Sequence, residues 1–551
     1  MSTRERLVFS HPVRDAASKF LRDHADGAPL FPAGSFASDA ALTRRAHKLD
    51  AWNGAGPVRR ASLAEFLAAQ NTSLPHSALH PAQVANLDAA GQANTLFVTT
   101  GQQPGLLGGP ALALHKALTA VAWARDASAR LGRPVVPIFW IAGDDSDLAE
   151  SNAVEFLEPG ATITSLTLDF TDSEDAIPMS LRVIDHAGAR AVLESLPASW
   201  SPAARAVAAA CYAPGRSLTQ AFRALLQALL GPEGLLFIDG FDATRRPESQ
   251  ALLRRVTENS PAFHEALLRG TTRLRDALSL PPQVPVRPGT VPVFLLENQR
   301  RTRLFASDSG RIYAAGDEGR DLRATLSEKT LLHSALTRPL IVEQLFPALG
   351  HVLGPAELRY FAQLADVFPA FGESFPLVAP RRQAMLVPRA DLMALEALGF
   401  RADELTDLRP SRVRAHLTEQ AWRGHPAAAA FPDAEYERFR EALKAYETEN
   451  FPAAANRFET ARRRLDRALG YHRDTARALV FAASAAEQFR ALQPLLRWCA
   501  GGAQDRHLNS LSLWNALEHS SGEFRAHCAR VASPTDTVSV YVIDRNEGDT
   551  P

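Results

Sequence analysis

The chain has 551 residues with Lys+Arg 60 against Asp+Glu 61, a formal net charge of -1. Its length implies roughly two to four structural units, and its balanced charge excludes a general attraction to nucleic acid or anionic lipid. No apolar run approaches the ~20 residues that span a bilayer and the start lacks a signal-peptide core, so a soluble cytoplasmic protein is expected, with neither membrane nor nucleic acid as partner. Cys211, Cys499 and Cys528 lie far apart and form neither a CxxC pair nor a disulfide framework.

In chain order, residues 1–90 are Ala-rich and helical in pattern, broken by "GAPLFPAG" and "WNGAGP". A core is expected over 91–385, with insertions at about 155–230 and 285–330. It begins with "TLFVTT", a short β-rich run, followed by "GQQPGLLGGP" and a helix that Pro110 opens and that continues to about Arg130. "RPVVPIFWIAGDDSDLAESN" is a buried-strand run ending in acids. Strand, glycine loop, helix and strand together make a βαβ unit, which calls for a parallel sheet. "GLLFIDG" at 234–240 reads as a further strand of it. The text from "VPVFLLEN" to "RIYAAGDE", with Asp308, Ser309 and Gly310 as turn residues, reads as an antiparallel appendage. Residues 337–381 return to α/β text and are expected to rejoin the first sheet.

Beyond Arg382 the composition becomes Ala, Leu, Arg and Glu, and 386–500 are expected to form a helical domain. Phe451, Phe458, Leu465, Leu479 and Ala486 keep a seven-residue register, with Ala454, Ala461, Ala468, Ala482 and Phe489 on the second seam and only His472 and Thr475 interrupting. That spacing predicts one long coiled-coil helix over 451–497. Its partner would be the helix near 433–450, the one near 386–404, or another subunit. Residues 501–551 close the chain, returning to the core and ending in the alternating strand "DTVSVYVID".

Three groups of residues carry chemistry. In the loop and helix from Gly101 to Lys116, the N–H groups around Gly101, Gly105, Gly108 and Gly109 could receive an anion, Gln102 and Gln103 add neutral donors, and only one of His115 and Lys116 can point back to the loop. Asp144, Asp145, Asp147 and Glu150 follow Trp140 at a strand's carboxyl end, near Asn152; they could hold Mg2+, bind an ammonium group or act as a base, or Asp145 or Asp147 could merely cap the next helix. The third group is Arg338, Glu343, Gln344, Glu357, Arg359, Tyr360 and Arg381; Arg338 and Arg381 sit at element ends where they could grip a carboxylate, and Glu357 and Arg359 could equally be a charged pair on a solvated helix. No HxxEH, CxxC or GxSxG pattern is present, which argues against zinc and serine hydrolases.

"GQQPGLLGGPALALHK", "PVVPIFWIAGDDSDLAESN", "TRPLIVEQLFPALGHVLGPAELRYFAQL" and "FPLVAPR", in this order, resemble the BshC family, the cysteine-adding enzymes of bacillithiol biosynthesis. The resemblance implies an α/β fold: a Rossmann-like parallel-sheet core with inserted connecting segments, related to class I nucleotidyltransferases, plus a long α-helical coiled coil that forms a homodimer. It implies a ligase that joins the carboxylate of cysteine to the amine of glucosaminyl malate, with ATP or another adenine nucleotide as activating cofactor and Mg2+ as its companion. By position, Gly101 to Lys116 would stand where the related enzymes bind ATP, although the spacing differs. The implied catalytic set is Asp145, Asp147, His115 and Lys116, and the implied substrate contacts are Trp140, Asp144, Asn152, Arg338, Gln344, Glu357, Tyr360 and Arg381. The family's acidic motif usually carries a histidine between its acids, where this chain has Ser146. Two rival expectations are a carboxylate-activating ligase of the same fold with other substrates, and a non-catalytic coiled-coil assembly protein.

Overall fold

The computed structural model describes residues 11–12, 15–53, 57–72, 78–157, 163–170, 176–307, 309–401, 404–405, 408–499, 508–521 and 537–543. Asp308, Cys528 and most of 501–551 lie outside them. The chain divides into two units, one built from 8–385 and 505–540, the other from 1–7, 386–504 and 541–551.

In the larger unit, apolar runs bounded by Gly and Pro become the strands of a parallel sheet. These are β1 (Leu96–Gln102), β2 (Val135–Ile141) and, after an antiparallel hairpin of β3 (Ala153–Leu157) and β4 (Ile163–Thr167), β5 (Leu236–Asp239). Helix α1 (Ala111–Leu131) joins β1 to β2; Pro110 is its N-cap, and Gly132, at φ 62°, ends it in the left-handed region that suits glycine. Helix α2 (Leu218–Leu230) precedes β5, opened by a capping box of Ser217 and Gln220. An antiparallel sheet follows, formed by β6 (Thr290–Glu297), β7 (Arg300–Ala306), β8 (Ile312–Ala314) and β9 (Thr330–His333) in the order β9-β6-β7-β8. The chain then returns through α3 (Arg338–Leu345), β10 (Ala348–Leu353), α4 (Pro355–Gln363) and β11 (Leu377–Pro380).

The parallel sheet has the order β11-β10-β1-β2-β5. From β1 the chain steps outward to β2 and β5, then comes back to the other side of β1 for β10 and β11. The order reverses between β1 and β10, and at such a point the connections leave on opposite faces and open a crevice at the carboxyl ends of the strands. Period-two alternation separates the faces: Leu96 and Val98 pack with Trp123, Ala124 and Ala127 of α1, whereas Phe97, Ile138 and Ile238 join the larger core with Leu340 and Ile341 of α3. The α/β class and the return of 337–381 to the first sheet agree with the sequence reading.

In the smaller unit the longer helices are α5 (Pro410–Arg423), α6 (Asp433–Asn450), α7 (Glu459–Ser484) and α8 (Ala486–Cys499). The single helix expected over 451–497 is corrected: 452–458 form a 3-10 turn, and Ala485, at φ -127°, separates α7 from α8. The bend has a packing reason. From Val480 and Phe481 through Ala485 to Phe489, Leu492, Leu495 and Leu496 the inward residues are buried, so the turn at Ala485 keeps the apolar face inward, whereas Ala461, Leu465, Ala468 and Leu479 stay exposed. Helices α6 and α7 run antiparallel, with Tyr436 donating to Asp466 at 2.9 Å and Arg462 paired with Glu447. Helix α5, which the sequence reading did not name as a partner, also packs on α7 and pairs Glu419 with Arg477 at 3.1 Å.

Candidate active site

At the carboxyl ends of β1 and β10, charges from both faces of the sheet converge. Lys116, one and a half turns into α1, reaches around the end of β1 and donates from Nζ to the carbonyl of Gly101 at 2.8 Å and to Gln102 Oε1 at 2.9 Å. It also meets Glu357 Oε2 at 2.5 Å. From the other face, Arg338 Nη2 donates to Glu357 Oε1 at 3.2 Å and to the Tyr360 hydroxyl at 2.6 Å. Glu357 also accepts from the Gly354 N–H at 2.8 Å, which caps α4. Glycine is required at 101 because a Cβ there would lie 2.6 Å from the Trp140 carbonyl and 3.3 Å from Arg338 Nη1. Arg381 Nε lies beside Gly354, where a Cβ would meet it at 3.7 Å.

Burial opposes the charge on Glu357, but Lys116, Arg338 and the Gly354 N–H outweigh it and hold the carboxyl down at about 2. Burial also lowers the Lys116 ammonium, with Glu357 opposing and Arg338 and Arg381 adding. Three cations, Lys116, Arg338 and Arg381, thus surround one firmly ionised carboxylate. Cations gathered in this way suit a phosphate or carboxylate group of a ligand.

The acidic loop lies next along the same edge, after β2. Asp144 is buried, with His333 Nε2 of β9 3.2 Å from its Oδ1. Burial lifts Asp144 to about 7, Arg301 opposing and Asp145 and Asp239 adding. Asp145 is partly exposed; its Oδ1 accepts from Arg301 Nη1 at 2.9 Å and its Oδ2 from Gln103 at 3.2 Å. Gln103 also donates to Glu150 at 2.5 Å. At the end of β5, Asp239 is likewise lifted by burial to about 7, and it accepts from Ser180 Oγ at 2.6 Å. Among the described residues no three His, Cys, Asp or Glu side chains gather as a metal site.

The structure brings together Gly101, Gln102, Lys116, Arg338, Glu357, Tyr360 and Arg381 in one cluster, and Gln103, Asp144 and Asp145 in its neighbour. Other expected site residues fall elsewhere. Gly105, Gly108 and Gly109 form no open anion cradle: Cβ atoms on them would strike Gly109 Cα at 2.6 Å, Leu225 at 2.4 Å and Phe222 at 3.3 Å respectively, and the Gly108 N–H already donates to Tyr212 at 3.2 Å. These glycines serve the chain's own close packing. His115 is fully buried, and of the two neighbours it is Lys116 that points back to the loop. Gln344 is corrected: α3 runs back along the sheet, so its end lies at the amino edge of β10, where Gln344 pairs with Glu373. The Asn152 amide is spent on the Leu168 carbonyl at 3.0 Å. Trp140 is buried, its ring 5.6 Å from that of His333. Asp147 is exposed at the N-cap of a one-turn helix and makes no capping bond. His333, Arg301, Asp239 and Ser180 were missed, because they come from insertions or strand ends without a motif around them.

A parallel sheet with helices on both faces and a buried charged cluster at its switch point defines a Rossmann-like α/β protein. Residues 7–382 match the family model described as "Bacillithiol biosynthesis BshC, N-terminal Rossmann-like domain", and the chain belongs to this family, whose role is in bacillithiol biosynthesis. Relatives named "Putative cysteine ligase BshC" include one from Geobacillus thermodenitrificans, 28% identical over 435 residues (76% of this chain, 77% of the relative). Another, from Heliobacterium modesticaldum, is 30% identical over 390 residues (67% and 70%).

Proposed function

We propose that this chain is a ligase that joins the carboxylate of cysteine to the amine of glucosaminyl malate, the amide-forming step that yields bacillithiol. The observation that carries the reading is the cluster of Lys116, Arg338 and Arg381 around Glu357 at the switch point of the sheet, beside an acidic loop. Amide formation from a free carboxylate is uphill in water, and an adenine nucleotide, with Mg2+ on its phosphates, would supply the leaving group. Lys116, Arg338 and Arg381 would hold the anionic groups, and Gln102, already bonded to Lys116, would fix their approach. Asp145, the partly exposed acid, receives the amine. As nitrogen bonds to the activated carbonyl carbon, the leaving group departs with its electron pair and the amine proton passes to the Asp145 carboxylate. Arg301 and Gln103 hold that carboxylate in place.

The helical unit supports a homodimer, because its seam leaves Leu465 and Leu479 exposed on one face, and an apolar face of this kind marks an interaction surface. The cytoplasm is the compartment this reading requires. The test is incubation of the purified chain with cysteine, glucosaminyl malate, ATP and Mg2+, followed by mass spectrometry of the thiol. Product is expected from the native chain and none from Lys116→Ala or Arg338→Ala. Nucleotide-independent inertness of the native chain, with no ATP binding by calorimetry, would favour a non-catalytic assembly role instead.

A further inference from the structure

Ser146 gives the acidic loop no imidazole of its own, yet the antiparallel sheet carries one into it. His333, the last residue of β9, is buried with Nε2 3.2 Å from Asp144 Oδ1, although their present angle leaves both atoms short of a completed hydrogen bond. Its backbone carbonyl accepts from Arg301 Nη2 at 3.0 Å, while Nη1 of the same guanidinium donates to Asp145 Oδ1 at 2.9 Å. The contacts close a ring. Asp144 and Asp145 are adjacent in sequence, Arg301 ties the second acid to β9, and His333 returns to the first. The Arg301 guanidinium is itself seated 3.8 Å over the Phe294 ring of β6, so the ring of contacts has a rigid floor. Neither oxygen of Asp144 completes a hydrogen bond to another described residue, and a buried carboxylate without a donor is costly. The imidazole is the group placed to supply that donor.

We propose that His333 is a positioning residue for the acidic loop: its Nε2–H serves the Asp144 carboxylate while its carbonyl, through Arg301, fixes Asp145 where the substrate amine is received. The proposal rests on the ligase reading for its kinetic consequence, but not for the pair itself. Burial keeps the His333 imidazole well below its ordinary value, with Arg301 and Arg338 adding, so the ring is neutral and retains one N–H at pH 7. The charged groups facing the pair are Arg301 from β7, Arg338 from α3, Asp239 from β5 and Asp145 from the loop itself. Removing a donor to the ionised form raises a carboxyl's pKa, so loss of the imidazole pushes Asp144 further up.

The experiment compares His333→Leu, which deletes the donor, with His333→Gln, which replaces it with an amide N–H. The Asp144 carboxyl is titrated by 13C NMR in the free protein, its resonance assigned with Asp144→Asn; should the leucine variant not fold, His333→Phe takes its place. The expected result is an Asp144 midpoint raised by about one unit in the leucine variant and close to native in the glutamine variant. In the amide-forming assay kcat should fall about tenfold or more in the leucine variant, with KM for the amine little changed and the acid limb of the pH profile moved upward, and glutamine should restore most of it. An Asp144 midpoint that is the same in native and leucine proteins, or a glutamine variant as impaired as leucine, overturns the proposal. If the native chain forms no amide, the ligase reading falls, and the carboxyl titration still decides whether the pair exists.

Discussion

The ammonium of Lys116 and the carboxylate of Glu357 meet at 2.5 Å although they belong to helices on opposite faces of the parallel sheet. Both are almost fully buried, so each depends on the other for its charge. Glu357→Gln should therefore leave Lys116 and Arg338 without their shared anion and destabilise the fold by about 3 kcal/mol or more. The Lys116→Met, Glu357→Gln double variant should lose less than the sum of the single variants, as a double-mutant cycle in urea will show. Additive losses would mean that the contact contributes nothing specific.

The same carboxyl sets an acid limit. Its folded value, about 2, lies below its ordinary value of 4.5, so its stabilisation is full above pH 4.5 and is lost as pH falls toward 2. The loss amounts to about 3 kcal/mol, read as a fall in the denaturation midpoint that Glu357→Gln no longer shows.

Asp144 and Asp239 behave in the opposite sense. Their folded values of about 7 lie above the ordinary 3.8, so the stability they contribute is full below pH 3.8 and is lost as pH rises through 7. Asp144→Asn should thus raise the melting temperature at pH 8 more than at pH 5. A gain that does not change with pH would show that Asp144 is ionised in the fold throughout this range.

Gly108, at φ 84°, lies where a Cβ would be 2.4 Å from Leu225 and 2.9 Å from Ser510. Gly108→Ala should cost about 2 kcal/mol in stability, and Leu225→Ala in the same chain should recover part of it. Nucleotide affinity of the folded variant should stay near the native value, since this glycine faces the chain's own side chains. A selective loss of nucleotide binding, measured by calorimetry, would return the loop to the role of an anion cradle.

In the helical unit Leu479 is 67% and Tyr471 72% exposed. Leu465→Glu with Leu479→Glu should convert a dimer to a monomer in light scattering without changing helix content, because neither side chain supports the unit's own core. A native chain that is monomeric at micromolar concentration would remove the homodimer from the proposed function.

Much of this protein was written locally. The runs at 96–102, 135–141 and 236–239 are apolar strands punctuated by Gly and Pro, and their alternation with helix-period text is enough to require a parallel sheet. The carboxyl edge of that sheet brought Asp144 and Asp145 into view, the glycine loop and its helix brought Lys116, and the charged text of 337–381 brought Arg338 and Glu357. Periodicity reports which face a residue takes, not which distant residue it meets. Tertiary structure alone decided that Gly105, Gly108 and Gly109 would be packed by Phe222, Leu225 and Tyr212, that α3 would carry Gln344 to the opposite edge from Arg338, and that α7 would bend away from α8 at Ala485. It also brought His333 and Arg301 from an antiparallel insertion onto the acids. Such contacts join segments that are remote in the chain, and they exist only because the sheet order reverses beside β1 and the insertion folds back over the strand ends, a long-range geometry that no local spacing encodes.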